Sequence, residues 1–247
     1  MSYKASIRLY VEESLSQDSS ITLDKEQSHY LANVMRCKLG NEVALFNGRD
    51  GEWAAEVTDI QKRAVTLHLK DLKREQSSEP DLWLVFAPIK KARLDFIAQK
   101  ATELGVSHLQ PAYTRRTFVD RVKTERLHAN AIEAAEQCER LTVPTIAEPA
   151  KLDAILEEWP ADRKIMFCDE TLSGDAAHTA LAKTGRKNTN EPWAIIIGPE
   201  GGFDDAERKA IREHANTTVV ALGPRVLRAD TAAMAAISLW QSALGDW

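Results

Sequence analysis

The pattern of apolar and polar positions divides the chain into two parts. Residues 1–72 contain short apolar runs, with the turn residues Asn47-Gly48 and Asp50-Gly51 between two of them. Short strands joined by such turns predict a small β-barrel. From Leu82 onward, apolar runs alternate with segments whose apolar residues recur at helical spacing, which predicts a mostly parallel sheet covered by helices.

Residues 73–80 lie between the two parts. They are largely polar, have no apolar period and end in Pro80, a combination typical of a linker. We therefore predict a barrel domain over residues 1–72, a linker over residues 73–80 and an α/β domain over residues 81–247. Within the first domain, the pattern predicts one helix, from Asp24 to Met35.

Composition excludes several classes of protein. Of the 247 residues, 44% are hydrophobic and 28% are charged, which is typical of a globular chain. No apolar run approaches the roughly 20 residues of a membrane span, and Met1 to Ser6 lack the apolar region of a signal peptide. The three cysteines are far apart and form no Cys-x-x-Cys motif, so we expect a cytoplasmic protein without a zinc site or other metal.

The distribution of charge indicates more than its total. The net charge is −5, but residues 89–126 carry nine Lys/Arg against four Asp/Glu. A local basic patch on an acidic chain is typical of a surface that binds RNA specifically. A solvated helix face followed by a loop would give the same count, so both interpretations stay open.

Two glycine-bearing loops follow two apolar runs near the end of the chain. Trp193–Ile197 leads into residues 198–203, and Thr218–Leu222 leads into residues 223–231. In open parallel sheets, ligands bind beyond the carboxyl ends of the strands. The first loop lacks the Lys of a phosphate-binding loop, and Glu200, Asp204 and Asp205 would repel a polyanion there. Asp204 and Glu207 are a predicted capping pair, which would already occupy the amides of the helix start.

The two loops together resemble one family. Gly-Pro-Glu-Gly-Gly-Phe at residues 198–203 and Leu-Gly-Pro-Arg-Val-Leu-Arg-Ala-Asp-Thr-Ala at residues 222–232 are similar to the ribosomal RNA small subunit methyltransferase E family. Residues 99–106 and 134–140 also resemble it. The family belongs to the SPOUT class of S-adenosylmethionine (SAM) enzymes. The resemblance implies a trefoil-knotted α/β methyltransferase domain preceded by a PUA-like barrel that helps to hold RNA.

The resemblance also implies a SAM pocket made of three segments, namely the one after Cys168 and the two glycine-bearing loops. The cofactor-binding residues that it implies are Ile197, Gly198, Pro199, Glu200, Gly201, Gly202, Leu222, Gly223, Leu227, Arg228, Thr231 and Ala232. A β-branched residue at Gly198 or Gly223 is expected to fill the space of the cofactor.

The implied reaction is methyl transfer from SAM to N3 of a uridine in 16S ribosomal RNA. N3 carries a proton, which a carboxylate or solvent must accept, and Asp230 and Glu200 are the candidates. The family usually has Glu at the position of Asp230. Arg225 and Arg228 are candidates to stabilise negative charge on the uracil oxygens, or to anchor phosphate or form an ion pair.

Basic residues of both parts are candidates for RNA contact. Arg8, His29 and Arg36 match positions typical of the family. The full set of predicted RNA-binding residues is Arg8, His29, Arg36, Arg93, Arg115 and Arg116. Other functions remain open, namely a SPOUT enzyme that acts on tRNA or on a ribose 2′-O, an RNA-binding protein without catalysis, and a small-molecule nucleotide enzyme.

The last predicted helix is apolar on almost every side. From Thr231 to Leu244 it contains no charged residue, so it needs cover on both sides. One side can pack on the sheet of its own subunit. We expect the other side, with Trp240 among its apolar residues, to meet a second copy in a homodimer. Burial within one subunit is the alternative.

Overall fold

The computed structural model describes residues 7–184 and 191–247. They fall into two compact units. Unit 1 contains the chain up to Ser78 together with Ala135–Thr142, and unit 2 contains Glu79–Ala134 and Val143–Trp247. Within the described residues, no helix is long and apolar enough to cross a membrane. The expectation about Met1 to Ser6 falls outside them.

Unit 1 is built on a five-stranded sheet, which confirms its predicted β-rich character. The strands occur in the order β1-β3-β4-β5-β2, and all neighbours are antiparallel except β1 and β3. Their bounds are Arg8–Tyr10 (β1), Ser20–Thr22 (β2), Glu42–Phe46 (β3), Glu52–Ile60 (β4) and Val65–Arg74 (β5). The predicted helix begins after Asp24, whose side chain accepts the amide of Gln27; it comprises α1 (Lys25–His29) and one π-helical turn (Tyr30–Val34).

The end of β5 extends into the segment that the sequence predicts as linker. Arg74 lies opposite Glu52 in the sheet and donates two hydrogen bonds of 3.0 Å to its carboxylate. Glu52 is buried, and Arg8 also donates to it at 2.6 Å. The pairing with this buried carboxylate explains why a polar segment continues the strand.

Unit 2 alternates strands and helices. The strands are β6 (Leu82–Phe86), β7 (His108–Tyr113), β8 (Thr145–Ile146), β9 (Ala150–Lys151), β10 (Lys164–Cys168), β11 (Asp175–Ala176), β12 (Trp193–Ile197) and β13 (Thr217–Ala221). The helices are α2 (Lys91–Glu103), α3 (Thr124–Cys138), α4 (Leu152–Glu157), α5 (Ala177–Thr184), α6 (Asp205–Glu213) and α7 (Ala229–Leu244). The end of α3 belongs to unit 1.

The sheet of unit 2 is parallel throughout, as the alternation predicts. Its order is β11-β13-β10-β12-β6-β7-β8, and β9 also pairs with β7. The chain passes from β10 to β12 on one side and then returns to β13 on the other side of β10. The carboxyl ends of β10, β12 and β13 are therefore neighbours. The trefoil knot stays a prediction of the family resemblance.

Apolar side chains cover both faces of this sheet. All five residues of β12 are buried, which explains its continuous apolar run. Helices α2, α5 and α7 cover one face, and Phe203 and Ile211 are part of the cluster on the other. Trp240 of α7 is only 1% exposed, so it lies in the core of its own subunit and not on the surface that a second copy could cover.

Candidate functional site

The carboxyl ends of β10, β12 and β13 surround a cavity of about 370 Å³. We call it the loop cavity. It lies where the strand order brings the two glycine-bearing loops next to the segment that follows Cys168. Its lining consists of Arg93, Cys168, Asp169, Glu170, Leu172, Ile197, Gly198, Pro199, Glu200, Gly202, Leu222, Arg225, Val226, Leu227, Arg228, Ala229 and Ala232.

Most of the predicted cofactor residues line this cavity. Those that do are Ile197, Gly198, Pro199, Glu200, Gly202, Leu222, Leu227, Arg228 and Ala232. Three others do not. Gly201 lies near the side chain of Arg116, Gly223 adopts φ +111° in the loop, and Thr231 is exposed on α7.

The glycines serve the packing of the loop around residue 198. A Cβ on Gly198 would come within 2.6 Å of the buried ring of Phe203, which in turn packs edge-on against Phe167 with 5.3 Å between ring centroids. A Cβ on Gly223 would meet no atom within 4 Å. Substitution at Gly198 would thus disturb the core beneath the loop, and at Gly223 the strain would come from the positive φ.

Two acidic residues after β10 hold the neighbouring loop and helix. Glu170 accepts the amide of Phe203 at 2.9 Å and Arg208 at 2.5 Å. Asp169 is 2% exposed and accepts Arg212 at 2.6 Å. Burial on its own raises the pKa of Asp169, but hydrogen bonds from the Thr171 amide and from Arg212 outweigh it, so the pKa of this carboxyl lies below its ordinary value.

The amino end of α6 is occupied by the chain's own carboxylates. Asp204 accepts the amide of Ala206 at 2.9 Å, and Glu207 accepts the amide of Asp204 at 3.0 Å, which confirms the predicted capping pair. The hydrogen bond from Ala206 keeps the pKa of Asp204 low. Glu207, which is buried, also accepts the amide of Arg115 at 2.7 Å. These amides are thus not available to an anionic ligand.

Arg93 connects the two carboxylates that the sequence nominates for proton transfer. Its Nη1 lies 3.2 Å from Glu200 Oε1, and its Nε lies 3.7 Å from Asp230 Oδ2. The Asp230 side chain is 18% exposed and that of Glu200 is 43% exposed. Arg225 and Arg228 line the same cavity. The cavity lining therefore combines the carboxylates of Asp169, Glu170 and Glu200 with three guanidinium groups, and Asp230 is connected to it through Arg93.

The predicted RNA contacts Arg115 and Arg116 bind the first glycine-bearing loop. Arg115 Nη1 lies 3.0 Å from Asp204 Oδ1, and Arg116 Nη1 donates to the carbonyl of Gly201 at 3.0 Å. Both guanidinium groups therefore hold residues 114–118 against this loop. The Arg115 side chain is still 59% exposed, so it remains accessible to a phosphate.

The three predicted RNA contacts in unit 1 differ in exposure and in their hydrogen-bond partners. Arg8 is buried at the guanidinium, which donates to Glu52 and to the carbonyls of residues 135, 136 and 140 and stacks on Phe46. This is a structural role, and it does not favour RNA contact. His29 is exposed and lies 3.0 Å from the amide nitrogen of Asn33. Arg36 is exposed at φ +55°, two residues after the end of the π-helical turn.

Several residues of the loop cavity are absent from the sequence prediction as cofactor contacts. They are Arg93, Cys168, Asp169, Glu170, Leu172, Arg225, Val226 and Ala229. The segment after Cys168 is predicted from the sequence to form part of the pocket. The sequence does not show which residues of that segment face a cavity. Burial raises the pKa of the Cys168 thiol, which keeps it protonated at neutral pH. Among the described residues, no group of three His, Cys, Asp or Glu could hold a metal.

Comparison with known proteins agrees with this architecture. Residues 76–241 match the model of an RNA methyltransferase domain, and residues 23–70 match that of an RNA methyltransferase PUA domain. Ribosomal RNA small subunit methyltransferase E of Rickettsia conorii is 33% identical over 94% of this chain and 93% of its own length.

Two solved structures extend the comparison to three dimensions. A Legionella pneumophila protein in complex with the bound cofactor SAM is 29% identical, with a TM-score of 0.87 over 99% of this chain and 100% of its own. Ribosomal RNA small subunit methyltransferase E of Neisseria gonorrhoeae, bound to SAM, is 27% identical, with a TM-score of 0.85 over 98% and 99%. This chain belongs to the ribosomal RNA small subunit methyltransferase E family.

Proposed function

We propose that the protein transfers the methyl group of SAM to N3 of one uridine in 16S ribosomal RNA. The observation that carries the proposal is the loop cavity. It lies at the two glycine-bearing loops in a chain whose relative in Neisseria gonorrhoeae was solved with SAM. The name of that relative supports small-subunit ribosomal RNA as the substrate.

The lining of the loop cavity suits SAM. Leu172, Ile197, Leu222, Leu227 and Ala232 offer apolar surface for an adenine ring, and the backbone of the loops offers amides and carbonyls for its edges. Glu170 and Glu200 line the same cavity and would offer negative charge to the cationic sulfonium. When bound, SAM supplies an electrophilic methyl group.

A carboxylate supplies the proton acceptor that the reaction needs. The N3–H bond must break before the N3 lone pair can attack a methyl carbon, so a proton acceptor must lie close to the uracil. Asp230 is the better candidate because it is less exposed than Glu200. Arg93 orients both carboxylates, and Arg225 or Arg228 would stabilise the charge that develops on the uracil oxygens.

RNA binding would use both units. We place Arg36 and His29 of unit 1 on the RNA surface, because both are exposed and their segment lies within the part that matches the PUA domain model. In unit 2, the accessible guanidinium of Arg115 would contact phosphate, with Arg116 beside it. The predicted domain boundaries and a cytoplasmic location remain part of the proposal.

A homodimer is the proposed assembly. Met234, Ala235, Ser238 and Leu239 follow one another on one side of α7 at helical spacing, and all are half-buried within the subunit. A second copy could cover this face. Such a pairing would place another subunit close to Ala232 on the same helix, which lines the loop cavity.

The position of the methyl group tests the proposal. Small ribosomal subunits from a strain that lacks this gene would be incubated with the protein and isotope-labelled SAM, and the labelled nucleoside would be identified by mass spectrometry after digestion of the RNA. We expect label in 3-methyluridine at a single position. Label in a 2′-O-methylated ribose, or in tRNA but not in ribosomal subunits, would contradict it.

A further inference from the structure

Phe118 is the most exposed large apolar side chain of the described residues, at 88%. It follows a tight turn in which the amide of Thr117 donates to the carbonyl of Thr114 at 3.1 Å and the Thr114 amide donates to the Thr117 hydroxyl at 3.0 Å. Beyond it, the Tyr113 hydroxyl donates to the carbonyl of Asp120 at 3.2 Å. Phe118 therefore projects from a segment that is bound at both ends.

The segment is also fixed relative to the loop cavity. As described above, Arg115 and Arg116 bind Asp204 and the carbonyl of Gly201. A second cavity, of about 300 Å³, is lined by Phe118, Val119, Pro88 and Lys90 together with Pro199 and Glu200. Pro199 and Glu200 line the loop cavity as well, so the two cavities meet at these residues.

A basic cleft adjoins the cavity that Phe118 lines. It is lined by Lys91, Arg121, Lys123 and Arg126 with the single carboxylate of Asp95, and it shares Ile89 and Val119 with the cavity of Phe118. Arg126 already neutralises Asp95 through a contact of 2.6 Å, which leaves three cations in excess. The cavity lined by the exposed ring of Phe118 thus adjoins both the loop cavity and a cationic cleft.

We propose that the ring of Phe118 stacks on the uracil that is to be methylated and holds it beside Glu200. A base that leaves its helical stack loses stacking energy, and an aromatic side chain next to a cationic path for the backbone is how proteins replace it. The inference rests on the proposed function. A neighbouring subunit could also cover an exposed Phe, but the basic surroundings favour the RNA.

Variants of Phe118 separate stacking from other roles. Steady-state methylation of small ribosomal subunits would be measured for Phe118→Ala, Phe118→Leu and Phe118→Trp, with SAM affinity determined by calorimetry. We expect Phe118→Ala to lower kcat/KM at least about 5-fold, the change that corresponds to about 1 kcal/mol of stacking. Phe118→Trp should retain wild-type activity. Phe118→Leu, which keeps apolar area without a π face, should lose activity as Phe118→Ala does.

The control is Phe96→Ala, which removes a 41% exposed ring from α2 in the same unit and should leave methylation unchanged. Wild-type kcat/KM in Phe118→Ala would overturn the inference, as would equal kcat/KM in Phe118→Leu and Phe118→Trp. A monomeric Phe118→Ala protein, in sedimentation where the wild type is dimeric, would assign the ring to a subunit interface instead. Absence of methylation by the wild type would contradict the proposed function itself.

Discussion

At the scale of single residues, Arg93 gives the site its organisation. Glu200 lies in the loop after β12 and Asp230 in the first turn of α7, and one guanidinium contacts both. Truncation of Arg93 would leave both carboxylates without their shared cationic partner. The contrast in exposure between the two carboxylates also separates their expected roles, since the more enclosed group is better suited to take a proton from a bound base.

The identity of the proton acceptor can be tested directly. We expect Asp230→Asn to lose roughly 10²-fold or more in turnover, because the amide cannot accept the N3 proton. SAM affinity and RNA affinity should change little. Single-turnover methylation with saturating SAM measures the step. Asp205→Asn on the exposed surface of α6 is the matched control. If Asp230→Asn retains full turnover while Glu200→Gln loses it, the assignment moves to Glu200.

The wall of the loop cavity offers a separate test of cofactor binding. Ala232 lines the cavity from a helix, where Leu is well tolerated. The larger side chain of Ala232→Leu would occupy space that SAM requires, so we expect calorimetric SAM affinity to fall at least 10-fold, equivalent to about 1.4 kcal/mol. Ala210→Leu, on an exposed position of α6, should bind SAM as the wild type does. Equal affinity in both variants would place the cofactor elsewhere.

At the scale of elements, the strand that ends at Cys168 is connected to helix α6 through charge. Asp169 follows β10 and contacts Arg212 and Arg208 of α6 at 2.6 and 3.5 Å. Because the Asp169 side chain is fully buried, its charge depends on these partners. This arrangement fixes one wall of the loop cavity independently of any ligand.

The lowered pKa of Asp169 predicts how stability depends on pH. A carboxyl whose pKa is lower in the folded state stabilises the fold above its unfolded pKa of about 3.9, and this contribution is lost as pH falls through the folded pKa. We expect Asp169→Ala to lower the free energy of unfolding by about 3 kcal/mol at pH 7, because it removes one partner of a buried ion pair. The deficit should shrink below about pH 4. Urea denaturation at both pH values measures it.

The control for this prediction is Asp153→Ala, which removes an exposed carboxylate of α4. It should change stability little at either pH, as is usual for surface positions. A deficit for Asp169→Ala that persists unchanged at low pH would show that packing, and not charge, is what the carboxyl contributes.

Sequence reasoning succeeds for elements and fails for long-range contacts. The apolar run Trp193–Ile197 predicts a buried strand because its burial is continuous. The two-residue strands β8 and β9 have no such signature, since only their pairing with β7 defines them. Arg93 is predicted as an RNA contact for its charge, but its carboxylate partners lie more than 100 residues away, and no local pattern encodes that proximity.

At the scale of the whole molecule, helix α7 packs mainly into the core of its own subunit. Trp240, Ile237 and Leu244 are buried against the core, which explains much of the apolar character that suggested a dimer. A change of Trp240 to Glu would therefore test folding and not association. The half-buried face that includes Ala235 and Ser238 is the part of the helix still open to a second copy.

The proposed dimer can be tested on that face. Ala235→Arg adds a long charged side chain where close helix contact would need a small residue, and we expect it to shift sedimentation at micromolar concentration from dimer to monomer. SAM affinity should fall with it, because the same helix lines the loop cavity. Thermal unfolding of the isolated monomer serves as the folding control. A wild type that is monomeric under these conditions would end the idea.

The discontinuity of unit 1 has a consequence for synthesis. Arg8 donates hydrogen bonds to carbonyls of residues 135 and 136, and the first pair is separated by 127 positions. At ribosomal elongation rates of about 5–20 residues per second, the partners of Arg8 appear roughly 6–25 s after it. During that interval the guanidinium of Arg8 lacks its backbone acceptors at residues 135, 136 and 140. Unit 1 therefore cannot complete its folding until residues 135–142 have been made, although its sheet is synthesised before residue 79.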